Sequence, residues 1–131
     1  MLVPDRLTRA ARTNDKETPL MIVCIPVVGD GQTGGGWGKA HRVALATVTD
    51  GAVTDWQEIE VGWDVAHDSG PEGTHHARIA RFLIDQHVDV VVAGHMGEPM
   101  VRMLGKLKIR TVLGAEGDAR AAVLAAAAQL A

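Results

Sequence analysis

Histidine is the residue type in this sequence with the widest scope for chemistry. Six His occur among 131 residues, against a single Cys. Neutral imidazole is a common ligand of iron and zinc. One Cys excludes an internal disulfide, a Cys-based zinc site and an all-Cys iron–sulfur site within one chain. Any metal that this chain holds should therefore be bound mainly through imidazole.

Two of the histidines are adjacent at the start of a predicted helix. Thr74 is a suitable N-cap, so His75 and His76 should occupy the first helical turn. Neighbouring residues of a helix point about 100° apart. His76 has the spacing of the apolar residues Ile79 and Leu83. We therefore expect His76 to lean toward the sheet and His75 to lean toward the loops.

His95 lies between an apolar run and a second predicted helix, with glycines close by at Gly94 and Gly97. Glycines at such a turn let a ligand approach the backbone. We predict that His76 and His95 belong to a site for a metal ion or a metal cluster. The alternative is that they are polar loop histidines beside a small-molecule cleft. Further candidate metal ligands are His41, His67 and His75.

The glycine-rich segment 29–40 is the second candidate for ligand binding. It resembles a phosphate-binding loop but lacks the Gly at position 33 and the Ser or Thr at position 40 that Lys39 would need. Since glycines lose much conformational entropy on ordering, we expect a mobile flap that carries Trp37 over a ligand. Cys24 lies inside an apolar run and is expected in the core.

The hydrophobic pattern predicts the elements that position these residues. A continuous apolar run at 19–28 is typical of a strand buried on both faces. Asp50-Gly51 is a strong hairpin signal between the next two strands. The predicted strands are 19–28, 41–49, 52–61, 88–94 and 109–115, and the predicted helices are 75–87, 98–108 and 116–131, with Val123, Leu124 and Leu130 as the main anchors of the last.

This order, β-β-β-α-β-α-β-α, predicts an α/β fold with a mixed five-stranded sheet and helices packed on it. The apolar strands 19–28 and 88–94 should be central neighbours, and the charged strand 52–61 should lie at an edge. Tracing chain direction places the glycine-rich loops and every histidine except His87 on one rim. Ligands of open α/β sheets bind there. We assign 20–131 to one domain and 1–19 to a flexible arm.

Composition excludes several classes of protein. The net charge is −3 and aromatic residues make up 3%, which excludes the basic and aromatic surface of a nucleic-acid binder. No apolar run is long enough to span a membrane, and the N-terminus has no signal-peptide pattern. We expect a cytoplasmic protein with neither nucleic-acid nor membrane partners.

Two other functions stay open. Helix N-termini and glycine-rich amides on one rim could serve an anion or small-metabolite binding module. An enzyme such as a metal-dependent hydrolase ranks last, because no nucleophile–base pair or three-ligand motif is visible. The sequence therefore leans against catalysis without settling it.

A family resemblance enters through the second half of the chain. The run THHARIARFLIDQHVDVVVAGHMGEPMVRMLGKLKIRTVLGA resembles the dinitrogenase iron–molybdenum cofactor biosynthesis domain of the nitrogenase accessory-factor type. GWGKAHRVALATV is similar to the HFGRAPYFLIVDV of that family. The resemblance covers Leu20 to Leu130 and implies a ribonuclease H-like fold.

The resemblance implies a small carrier or accessory protein with no catalysis of its own. Its cargo would be an iron–sulfur or iron–molybdenum-type cluster, with a single iron or zinc ion as the alternative. The implied partners are a protein that donates or accepts the cluster and a second copy of the chain, since a homodimer could share one cluster. The expected contacts to the cluster are Trp37, Gly38, Gly94, Met96 and Gly97.

The chain departs from the family pattern at two positions. Gly36 precedes Trp37-Gly38 where the family often has His, and His95 stands where the family more often has Gly. The ligand set implied by the resemblance is therefore not the usual one.

Overall fold

A computed structural model describes residues 20–66 and 72–130. The predicted arm 1–19 lies outside this range, as does part of the predicted loop between the third strand and the first long helix. The strands are β1 (Met21–Val28), β2 (Gln32–Thr33), β3 (Arg42–Thr49), β4 (Ala52–Glu60), β5 (Val90–Val92) and β6 (Arg110–Val112). The helices are α1 (Trp63–Ala66), α2 (Glu72–Asp85), α3 (Glu98–Lys106) and α4 (Ala119–Leu130).

The sheet is mixed, and its main path has the order β4-β3-β1-β5-β6. β1 pairs antiparallel with β3 and parallel with β5, so the two most apolar strands are central neighbours, as predicted. Among the residues that the structure describes, β4 pairs only with β3 and forms an edge, the position predicted from its charges. Asp50 and Gly51 both have positive φ, the conformation of a type I′ hairpin turn.

The prediction of five strands is wrong by one. Gln32 and Thr33 form the short strand β2, which pairs with the end of β1. Val27 of β1 pairs with Arg42 on one side and Thr33 on the other. The glycine-rich segment therefore begins as an extension of the sheet and not as a free loop.

Two predictions about the following connection are also wrong. Trp63–Ala66 forms the short helix α1, where a loop is expected. Helix α2 begins at Glu72, so Thr74 is inside the helix and is not its N-cap. The prediction placed the helix start too late because Gly73 disfavours a helix interior. The next residue with a good capping side chain is Thr74, so the sequence favours Thr74 as the N-cap.

A hydrophobic cluster packs on each face of the sheet. Val23, Ile25 and Val27 of β1 face α4, whereas Cys24 faces the cluster that contains α2 and α3. Leu124 is 36% exposed, so its predicted role as an anchor of α4 is wrong. Small side chains anchor this helix beside Val123, namely Ala119, Ala126 and Ala127. None of the helices in residues 20–66 and 72–130 has the length and apolar character to cross a bilayer.

Candidate functional site

Three connections meet at the carboxyl ends of β1 and β5, as chain direction predicts. The backbone N–H of His95 donates to the Gly35 carbonyl at 2.9 Å, and the N–H of Trp37 donates to the His95 carbonyl at 3.3 Å. The N–H of Thr33 donates to the Gly117 carbonyl at 2.7 Å. The glycine-rich segment is therefore hydrogen-bonded to the turns that follow β5 and β6.

Gly94 allows the closest of these approaches. A Cβ atom at this position would lie 2.8 Å from the Gly35 carbonyl oxygen, a distance that real Cβ atoms essentially never show. Gly94 is thus required because another backbone occupies the space of a side chain. It supports the wall of the site from behind.

A cavity of about 290 Å³ opens beside these loops. It brings together most of the residues predicted for the site, namely Trp37, Gly38, His75, His76, His95, Met96 and Gly97. Gly36, Lys39, Pro99 and Met100 also line it and were not predicted as site residues. Lys39 could have been predicted as a site residue from its position next to Gly38, because a flexible cation beside the predicted contacts can bind an anionic cluster.

His75 contacts the glycine-rich segment, in line with its predicted lean toward the loops, but it is the more buried of the two histidines. His75 is 2% exposed, whereas His76 is only half-buried. Because α2 begins three residues earlier than predicted, the histidines lie further along the helix than a first turn after Thr74. The loop around Gly38 packs over His75 and buries it.

Both ring nitrogens of His75 have hydrogen-bond partners. Nε2 lies 2.7 Å from the Gly38 carbonyl oxygen, and Nδ1 lies 3.2 Å from a guanidinium nitrogen of Arg78. A carbonyl only accepts and a guanidinium only donates. These partners match an imidazole with a proton on Nε2 and a lone pair on Nδ1 that faces Arg78.

His95 is exposed at the opposite wall of the cavity. Its ring lies against Gly36, with Cε1 and Nε2 3.4 and 3.6 Å from the place where a Cβ of Gly36 would stand. A Cβ atom at Gly36 would thus make ordinary van der Waals contact with the imidazole. Residues 36 and 95 are neighbours at this wall of the cavity.

Trp37 is buried and does not sit on an open flap, which corrects the prediction. Its side chain is 1% exposed, and its ring meets Trp63 edge-to-face at a centroid distance of 5.1 Å. Trp63 in turn packs edge-to-face on Phe82. The indole Nε1 of Trp37 is buried and has no hydrogen-bond partner among the residues the structure describes. A buried donor of this kind is costly unless a ligand satisfies it.

Positive electrostatic potential also reaches the cavity. Gly97, at the N-cap of α3, provides no side-chain cap, and the first N–H groups of a helix lack intrahelical partners. The helix dipole adds partial positive charge at the same end. Together with Lys39, this end of α3 favours a ligand that carries negative charge.

His41 is separate from the cavity lining. Its Nδ1 lies 3.1 Å from an Asp64 carboxylate oxygen, and its Nε2 lies 3.9 Å from Glu60. The hydrogen bond with His41 holds the pKa of the Asp64 carboxyl below its usual range. His67 lies outside the described residues. The structure therefore brings His75, His76 and His95 to the cavity, and leaves His41 with two carboxylates.

Cys24 lies in the core, as predicted. The thiol is fully buried, and burial raises its pKa because the thiolate is poorly solvated there. It therefore does not act as a ligand or nucleophile for the rim. Among the described residues, no three side chains of His, Cys, Asp or Glu are grouped so that they could hold a metal ion.

Comparison with known proteins places the chain in a family. Residues 20–129 match the model of the dinitrogenase iron-molybdenum cofactor family, so the chain belongs to that family. No curated protein matches the sequence significantly.

Solved structures share the fold at low sequence identity. The crystal structure of PH0822 has a TM-score of 0.64 at 19% identity, covering 81% of this chain and 88% of that one. A Thermotoga protein, TM1290, provisionally described as a NifB protein of the DUF35 family, has a TM-score of 0.61 at 18% identity, covering 82% and 88%. The provisional dinitrogenase MJ0327 of Methanocaldococcus jannaschii has a TM-score of 0.53 at 13% identity, covering 75% and 79%.

Proposed function

We propose that this protein is a small non-catalytic carrier that holds an iron–sulfur or iron–molybdenum-type cluster in the cavity between the glycine-rich segment and α3. The cluster is cargo and is passed between partner proteins of cofactor biosynthesis. Membership of the dinitrogenase iron-molybdenum cofactor family supports the kind of cargo. His76 and His95 are the proposed ligands.

The observation that carries this proposal is the convergence of His76 and His95 on one cavity. They come from different elements, α2 and the turn after β5. A tightly held single zinc or iron ion usually needs three or four protein ligands, and the described residues offer no such group. A preassembled cluster that arrives with terminal ligands as well as bridging sulfides needs fewer protein ligands, so two imidazoles can hold it.

The rest of the cavity suits a cluster with negative charge. The charge of Lys39 and the N-terminus of α3 both favour acceptor atoms such as sulfide. Gly38, Met96 and Gly97 supply a lining with little steric bulk. Gly94 contributes from behind by holding the glycine-rich segment in place.

The proposal includes a ribonuclease H-like arrangement and one domain, 20–131. A first strand at the centre supports it, with an antiparallel hairpin on one side and two helix-linked parallel strands on the other. A second copy of the chain is a proposed partner, because two cavities that face each other could share a cluster with imidazole from both.

Anaerobic reconstitution tests the proposed carrier role. The protein is incubated with iron salts, sulfide and a thiol, desalted, and assayed for iron and for absorbance of the bound cluster. We expect the wild type to retain iron and the His76→Ala, His95→Ala double variant to lose it. His87→Asn is the matched control, because it removes a histidine outside the cavity lining and Asn tolerates the positive φ there. Equal iron in all three proteins would contradict the proposal.

The N-terminus of α3 and Lys39 also favour a second function, the binding of a small anion such as phosphate or a carboxylate. A thermal-shift comparison separates the two. Stabilisation by phosphate without any retention of iron would favour the anion module, because a ligand that binds only the native state raises the melting temperature.

A further inference from the structure

We propose that His75 is a positioning residue and not a ligand. It fixes the glycine-rich segment over α2 so that the cavity keeps its shape. The predicted effect of His75 on cluster binding rests on the proposed function. The contact between His75 and Gly38 is seen in the structure whatever the ligand is.

The first argument is the burial of His75. Within the described ranges it is the only polar or charged residue that is buried. A buried polar group is stable only if its hydrogen-bonding atoms are satisfied. Nε2 and Nδ1 of His75 meet this condition through Gly38 and Arg78.

The second argument is the tautomer. A metal ligand needs a ring nitrogen with a free lone pair. Nε2 uses its proton to donate to the Gly38 carbonyl, and the lone pair of Nδ1 accepts from Arg78. His75 would have to break one of these contacts to bind a metal.

The third argument is what the contact holds. Gly38 follows Trp37, which carries the unpaired indole donor, and precedes Lys39, which carries the positive charge. The N–H of Ala40 donates back to the Trp37 carbonyl at 3.2 Å, so residues 37–40 form one tight turn. The hydrogen bond at Gly38 ties this turn to α2. Loss of it would loosen the turn that carries Trp37 and Lys39.

Two substitutions of His75 distinguish a positioning residue from a ligand. His75→Gln keeps an N–H donor near the position of Nε2 but has no imidazole. His75→Leu keeps roughly the side-chain volume but removes both the N–H donor and the imidazole. His76→Gln is the matched control on the neighbouring position of the same helix.

Amide hydrogen exchange and iron reconstitution are measured on the same variants. In His75→Leu we expect the Trp37 and Ala40 amides to exchange about tenfold faster, and iron binding to weaken by about tenfold or more. In His75→Gln both properties stay near the wild type. In His76→Gln exchange is unchanged and iron is lost.

Each other outcome overturns the proposal. Loss of iron in His75→Gln with normal exchange would make His75 a ligand. Wild-type exchange rates of the Trp37 and Ala40 amides in His75→Leu would show that His75 does not hold the turn at residues 37–40. If His75→Leu fails to fold, ¹⁵N–¹H correlation spectra of the wild-type imidazoles still decide, because a proton on Nδ1 of His75 contradicts the assigned hydrogen bonds. If the wild type takes up no iron, the carrier function fails, while the exchange data still test the role of His75.

Discussion

At the scale of single residues, Gly94 sets the distance between the glycine-rich segment and the turn after β5. A Cβ atom there would meet the Gly35 carbonyl oxygen, which is backbone and has little freedom to move. Gly94→Ala should therefore destabilise the fold by about 1–3 kcal/mol, the usual range for forced overpacking. Urea unfolding followed by circular dichroism measures the change.

Gly35→Ala is the control for this prediction. A Cβ atom at Gly35 would meet nothing within 4 Å. We expect its free energy of unfolding to stay close to that of the wild type. A loss in Gly35→Ala equal to that in Gly94→Ala would show that loop entropy and not contact distance controls stability here.

The paired Asp64 gives stability that depends on pH. Its carboxylate accepts from the Val65 N–H at 2.9 Å and lies close to His41, and its pKa is lowered in the native state. The native state thus binds this proton less readily than the unfolded state, whose Asp titrates near about 3.9. The stabilisation is present above that pH and is lost as the pH falls through the lowered pKa.

Asp64→Asn tests this linkage. We expect the wild type to be slightly more stable than the variant at pH 7, and the difference to disappear in acid below the pKa of Asp64. The measurement is urea unfolding across a pH series. A stability difference that is the same at pH 7 and at pH 2 would contradict the linkage.

The sequence predicted a common rim for the candidate histidines but not the burial of each one. Chain direction alone brings His76 and His95 to one rim, and in the structure both line one cavity. It did not predict that His75 would be buried. The burial of His75 depends on Gly38, which is distant in sequence, so helical spacing alone could not predict it.

At the scale of secondary-structure elements, strongly apolar strands were predictable and short polar elements were not. β1 and β5 have continuous apolar sequences, and their pairing was confirmed. β2 has two polar residues and exists because the end of β1 offers it unpaired backbone groups. α1 exists because Trp63 packs between Trp37 and Phe82. Both elements depend on tertiary contacts, which the local propensities of their residues do not predict.

Trp63 is the side chain that fixes α1 to the wall of the cavity. It is 2% exposed and contacts two other aromatic rings edge-to-face. Trp63→Ala should cost about 3–5 kcal/mol, the range for removing a buried Trp or Phe. Trp56→Ala is the control, since Trp56 is only partly buried and should cost clearly less. Chemical unfolding of both variants decides, and equal losses would argue against a central role for Trp63.

At the scale of the whole molecule, the described residues 20–66 and 72–130 build a sheet from β4 to β6 with a hydrophobic cluster on each face, and the sequence predicts a flexible arm at 1–19. We therefore expect a chain that begins at Leu20 to fold with nearly the same melting temperature as the full sequence, within about 4 °C. Calorimetry on both chains measures this. A large drop in melting temperature would show that residues 1–19 belong to the folding unit.

The main features of the fold followed from the sequence because apolar runs, a strong hairpin turn and chain direction all agree. The identity of the proposed cargo could not be predicted from the residues in the same way. A cluster that arrives with its own terminal ligands needs few from the protein, so it leaves no dense motif such as the spaced Cys of a zinc site. Two histidines from separate elements become a site only when the fold brings them together.

The most direct test of the carrier function is the metal content of the protein isolated without oxygen. The wild type and the His76→Ala, His95→Ala double variant are purified side by side, and iron and molybdenum are measured per chain, with circular dichroism to confirm that both are folded. We predict iron in the wild type and a loss of most of it in the double variant. Equal metal in the two folded proteins, or none in either, would contradict the assignment of this cavity as the cluster site.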